Sequence, residues 1–133
     1  MVAGPERDRA LRQWYTIARS MGEAGLPDAE ITPQELHRRR TAGETIRLVD
    51  VREAWEFQTC RLEGAEMIPL GQVAAALPRL DGEEPLVLYC HHGVRSLKAA
   101  LWLREQGIEQ AQSLQGGIDR WSLEIDPAVP RYM

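Results

Sequence analysis

The chain has 133 residues, about the length of one domain, which excludes a second full domain. Hydrophobic residues make up 44% of it and charged residues 27%, which excludes wholesale disorder, and no apolar run exceeds five residues where a membrane span needs about 20. Sixteen Lys and Arg against 20 Asp and Glu leave a net charge of −4, the wrong sign for a chain whose main partner is nucleic acid.

In chain order, residues 5–22 place Leu11, Trp14, Tyr15, Ala18 and Met21 on one helical stripe, an amphipathic helix with a docking face. The opening MVAGPERDRALRQWY mixes acidic with basic residues and shows no apolar stretch before a small-residue cleavage site. No secretory signal is read there, and a cytoplasmic location is the expectation. Gly22, Gly25 and Pro27 then make 22–30 a loop, so residues 1–30 read as a helical extension and 31–133 as the domain.

The domain opens with ITPQEL, where Thr32 can cap, Pro33 takes the first helical position and Glu35 sits at capping-box spacing, predicting a helix over 33–41. The runs at 46–51 and 85–90 have the apolar, β-branched character of strands buried on both faces of a parallel sheet. Weaker strand candidates are 65–70 and 111–114, and helices are predicted over 53–59, 71–80, 96–106 and 117–123. This alternation predicts an α/β fold, a mostly parallel central sheet with helices on both faces. The closing DPAVPRYM, with two prolines, is expected to lie extended over the surface.

Cys90 ends the most hydrophobic strand candidate, just before a turn and a helix, where open α/β sheets bind ligands. The loop His91, His92, Gly93, Val94, Arg95 and Ser96 would offer backbone N–H groups to an anion, backed by the positive end of a helix. Gly93 permits a backbone conformation that a side chain resists, and Arg95 adds a fixed positive charge for an oxyanion. Such surroundings lower a cysteine pKa from about 8.5 to roughly 3.5–7.5, so Cys90 is expected as a nucleophilic thiolate. A buried cysteine alone is more often simple packing, but packing gives no reason for a Gly, an Arg and a Ser to follow at these positions. The imidazoles of His91 and His92 are expected to be partly solvated, and Cys90, His91 and His92 lack tetrahedral ligand spacing, so no metal is expected. With Cys60 and Cys90 lying 30 residues apart and no CxxC pair, both cysteines read as free thiols.

Four ordered blocks, LVDVREAWEF at 48–57, LEGAEMIPL at 62–70, LYCHHGVRS at 88–96 and LQGGIDRW at 114–121, resemble those of a single-domain rhodanese in the rhodanese-like sulfurtransferase superfamily. CHHGVRS and the terminal DPAVPRY are also similar to the rhodanese domains of sulfur-carrier adenylyltransferases. The resemblance implies a ping-pong cycle without a cofactor, in which Cys90 takes a sulfane sulfur from thiosulfate or another donor and passes it to cyanide, a thiol or a sulfur-carrier protein. It implies that the 91–96 amides stabilise the persulfide and that Arg95, matching a C-x-x-G-x-R pattern, orients the donor. A cysteine desulfurase is a further implied partner. Asp50 and Arg52 match an Asp-x-Arg pattern, with a fold-supporting ion pair at least as good a reading as a direct role. Cys60 and Arg61 stand where many members carry Gly-His, so that histidine's contribution is absent here.

Two other readings compete. A cysteine phosphatase or arsenate reductase also uses a Cys-to-Arg loop, but with five intervening residues, whereas four separate Cys90 from Arg95. A persulfide carrier without turnover, or a protein-binding module, could use the basic HRRR run at 37–40 or the N-terminal helix as a docking surface. Cys60 is a candidate resolving thiol if its Cα comes within about 7 Å of that of Cys90.

Overall fold

The computed structural model describes residues 28–133, so the helix predicted over 5–22 and the start of the following loop lie outside the described residues. Five strands run β1 Glu30–Ile31, β2 Arg47–Asp50, β3 Glu66–Met67, β4 Leu86–Tyr89 and β5 Ala111–Leu114. They form one sheet in the order β1-β5-β4-β2-β3, with every pairing parallel. The helices are α1 Pro33–Thr41, α2 Ala54–Thr59, α3 Leu77–Leu80, α4 Val94–Glu105 and α5 Gly117–Glu124. This is the α/β architecture the alternation predicts.

Strand side chains alternate between the two faces, which explains why β4 is apolar throughout. Leu86, Leu88 and Cys90 join one core cluster with Ala99, Ala100 and Leu103 of α4. Val87 and Tyr89 join the other, with Leu36 of α1 and Ile118 and Trp121 of α5. Thr32 caps α1 as its spacing predicts, its hydroxyl accepting from Glu35 N–H at 3.1 Å.

Three elements depart from expectation. The helix predicted over 71–80 is instead a 3-10 turn at Leu70–Gln72 followed by the one-turn α3, where Pro78 has no N–H to continue an earlier helix. The candidate at 65–70 shrinks to Glu66–Met67 because Pro69 interrupts the ladder, although Ile68 and Leu70 still donate to Asp50 and Val51 carbonyls at 2.9 Å. β1, unannounced by any apolar run, is held by β5 through Ser113 N–H to Ala29 O at 2.8 Å and Gln115 N–H to Ile31 O at 2.9 Å. Among the described residues no helix is long and apolar enough to cross a membrane.

Candidate active site

Parallel strands deliver their carboxyl ends to one edge, and at the sheet's centre β4 ends beside β2, with Tyr89 in register with Asp50. Cys90 follows at once, and the chain turns through His91, His92 and Gly93 into α4. Gly93 has φ 95°, and a Cβ there would sit 3.1 Å from Gly116 N and 3.3 Å from Leu114 O. Both the turn and the close approach therefore require glycine. The opposing Gly117 is more constrained still, since a Cβ would come within 2.5 Å of Cys90 O and 2.4 Å of His91 O. These carbonyls accept from the first turn of α5, Ile118 N–H to Cys90 O at 2.9 Å and Asp119 N–H to His91 O at 3.1 Å. With its carbonyls held outward by α5, the loop is free to aim amides inward.

Those amides meet the sulfur. Gly93 N–H lies 3.1 Å from Cys90 Sγ, and the amide and hydroxyl of Ser96 each lie at 3.4 Å. Ser96 Oγ is fixed in turn by Ser113 Oγ of β5 at 2.7 Å. Of the amides expected to surround the sulfur from 91–96, those of Gly93 and Ser96 reach it. Cys90 is only 1% exposed, so the sulfur forms the floor of the nest. Converging donors on one atom at a helix N-terminus suit a sulfur that carries negative charge.

Arg95 leaves the loop on α4 and makes a two-pronged ion pair with Glu56 of α2, at 2.8 and 3.0 Å. Glu56 is 4% exposed and also accepts from Tyr132 OH at 2.6 Å and from the amide of Glu53 at 3.1 Å. The Arg95 hydrogen bonds, aided by Tyr132 and opposed by burial, hold the Glu56 carboxyl down at about 2. Arg95, expected to orient the charged end of a donor, has its fork occupied by the Glu56 carboxylate.

Asp50 and Arg52 are fully buried. Arg52 gives Nε and a second guanidinium nitrogen to Asp50 at 2.8 and 2.5 Å, and reaches Cys60 O at 2.6 Å and Tyr132 OH at 2.9 Å. The pair ties β2, the end of α2 and the C-terminal tail together, which is the fold-supporting reading. Cys60 and Cys90 are free, buried thiols that pack in different core clusters. The HRRR run is likewise engaged close by: Arg38 with Glu35, Arg39 with Glu44, and Arg40 with Glu63 O.

The tail is a structural member of the site. Tyr132 stacks on His91 at 3.9 Å, His91 stacks on His92 at 3.9 Å, and Trp55 meets Tyr132 edge-on at 5.7 Å. Burial, reinforced by His92, pushes the His91 pKa down from the ordinary imidazole value. His92 is solvated, its side chain 63% exposed, and Val94 is 64% exposed at the start of α4. One nitrogen of each histidine and a carboxylate oxygen of Asp119 lie within 4.8 Å of one another. Arg131 already holds that carboxylate at 2.8 and 3.2 Å, and the stacked rings, 24° from parallel, do not converge on one point. The trio therefore fits a metal poorly.

A family model described as the rhodanese-like domain matches residues 32–124. The chain belongs to the rhodanese-like domain family. It is 35% identical over 104 residues to a probable adenylyltransferase/sulfurtransferase MoeZ of Mycobacterium tuberculosis, covering 77% of this chain and 26% of that protein. The chain thus spans about a quarter of that relative's length. It is 35% identical over 92 residues to the thiosulfate sulfurtransferase GlpE of Glaesserella parasuis, covering 69% of this chain and 84% of GlpE. Among solved structures the human single-domain sulfurtransferase TSTD1 superposes with a TM-score of 0.64 at 28% identity, covering 74% of this chain and 98% of that one. At family level this rhodanese-like chain is related to sulfurtransferases.

Four contributors escaped the sequence reading. Glu56 lies inside the LVDVREAWEF block and Tyr132 inside the terminal DPAVPRYM, and each is a polar group near apolar neighbours without a visible partner. Gly117, in LQGG, signalled a close backbone approach that had no known destination. Ser113 carried no signal.

Proposed function

We propose that this rhodanese-like domain is a sulfurtransferase that works through a persulfide on Cys90. The observation that carries the reading is the convergence of Gly93 N–H, Ser96 N–H and Ser96 Oγ on Cys90 Sγ at 3.1–3.4 Å. In the first half-reaction the Cys90 thiolate attacks the outer sulfur of a sulfane donor. A new S–S bond forms at Sγ, and the donor's own bond to that sulfur breaks, releasing sulfite from thiosulfate or a thiolate from a persulfide. In the second, a nucleophilic acceptor such as cyanide, a thiol or a sulfur-carrier protein takes the outer sulfur, and the Cys90 thiolate returns. In the resting form these three donors offset the charge on Sγ, which is electrostatic stabilisation by groups already in place, and loading moves that charge to the outer sulfur of the persulfide.

The test is the intact mass of the protein after incubation with thiosulfate or glutathione persulfide, wild type beside Cys90→Ser, followed by cyanide. One sulfur atom added to the wild type alone, and removed by cyanide with release of thiocyanate, is the expected result. Equal loading of Cys90→Ser would end the proposal.

A further inference from the structure

Each arginine around the Cys90 loop is matched to a carboxylate. Arg95 is held by Glu56 at 2.8 Å, Arg52 by Asp50 at 2.5 Å and Arg131 by Asp119 at 2.8 Å. Lys98, one turn beyond Arg95 on α4, lines a separate shallow cleft with Leu70 and Trp102. The nest is thus electrically balanced before the thiolate is counted, and the thiolate makes it negative. Thiosulfate arrives as a dianion and finds backbone dipoles but no uncompensated cation among these arginines. The persulfide group of R–S–SH carries at most one negative charge, and its organic part meets exposed apolar surface, since Trp55 beside Glu56 is 58% exposed and Val94 beside Arg95 is 64% exposed.

We propose that Glu56 sets donor choice, cancelling the Arg95 charge so that Cys90 takes sulfur from persulfides of organic thiols in preference to thiosulfate. This rests on Cys90 being the sulfur-accepting group. The step balances as Cys90–S⁻ plus R–S–SH giving Cys90–S–SH plus R–S⁻, with no outside oxidant or reductant. The S–S bond of R–S–SH breaks as the bond to Sγ forms, and the leaving thiolate keeps the electron pair.

The test is the single-turnover rate of Cys90 loading, read by mass, with cysteine persulfide, whose net charge is at most −1, and with dianionic thiosulfate at equal concentrations. Wild type is expected to favour the persulfide by at least about tenfold, and Glu56→Gln to move the ratio of the two rates about tenfold toward thiosulfate. A merely structural Glu56 would slow both donors together, and that result, or an unchanged ratio, overturns the proposal. Ionic strength supplies a check that needs no variant. In wild type the thiosulfate rate should stay level or rise with salt, because the net field a dianion meets is not attractive. A steep fall with salt would show a recruiting cation and overturn the proposal even if Glu56→Gln failed to fold. Loading from neither donor would instead remove the sulfur-transfer reading itself, an outcome distinct from loading from both with thiosulfate ahead.

Discussion

The loops after β2 and β4 leave the same edge of the same sheet, side by side, and put similar residues to opposite uses. After β2, Asp50 and Arg52 satisfy each other, and the remaining Arg52 donors go to Cys60 O and Tyr132 OH. After β4, the inward donors of Gly93 and Ser96 share a single sulfur. The difference lies in who supplies the hydrogen bonds: side chains close the first loop upon itself, whereas backbone amides, freed because α5 donates to the loop's carbonyls, leave the second open to a reactive atom. A saturated polar cluster makes a foundation, and an anion nest with one soft occupant makes a site.

Breaking the second loop should show most in activity. Gly117→Ala drives a methyl against the Cys90 and His91 carbonyls, and it is expected to lower the sulfur-loading rate by about 100-fold through misplacement of the nest. Unchanged loading kinetics would mean that α5 does not hold the loop. Breaking the first loop should show in stability instead. Arg52→Ala leaves Asp50 buried without its partner and is expected to cost about 3–5 kcal/mol in urea unfolding, while any folded fraction still loads sulfur.

Between the two loops lies Glu56, and its effect is legible in pH. Its carboxyl is held at about 2 in the folded protein against 4.5 normally, so the stability it contributes is fully present above about pH 4.5 and is lost as pH falls toward about 2. Urea midpoints measured across that window should fall more steeply for wild type than for Glu56→Gln, and parallel slopes would contradict the assignment. The smallest effect belongs to Cys60→Ser. Cys60 packs in a different core cluster from Cys90, so loading should match wild type, with stability changed by about 1 kcal/mol in unfolding.

What the sequence made legible follows from distance along the chain. Cys90, Gly93, Arg95 and Ser96 fall within one turn and the first turn of a helix, so their convergence follows from local rules about strand ends and helix N-termini. The strand β4 announced itself because burial on both faces demands an unbroken apolar run, and β2 did so through the β-branched and apolar residues on either side of Arg47 and Asp50. Glu56 meets Arg95 from 39 residues away and Tyr132 from 76, and no local pattern encodes such a meeting. The stretch 71–80 misled because VAAAL favours a helix by propensity while Pro78 denies it a continuous ladder. The tail lies on the surface as expected, though it turns at Asp126–Val129 before reaching the site, and its stacking on His91 depended on a fold that the tail itself does not specify.

The most direct test sets the two thiols against each other in one molecule. After loading with a sulfane donor, free thiols and persulfides are capped, and the peptides bearing Cys60 and Cys90 are compared by mass spectrometry. The account predicts one extra sulfur on the Cys90 peptide and none on the Cys60 peptide. Sulfur on Cys60, or equal labelling of both, would contradict it.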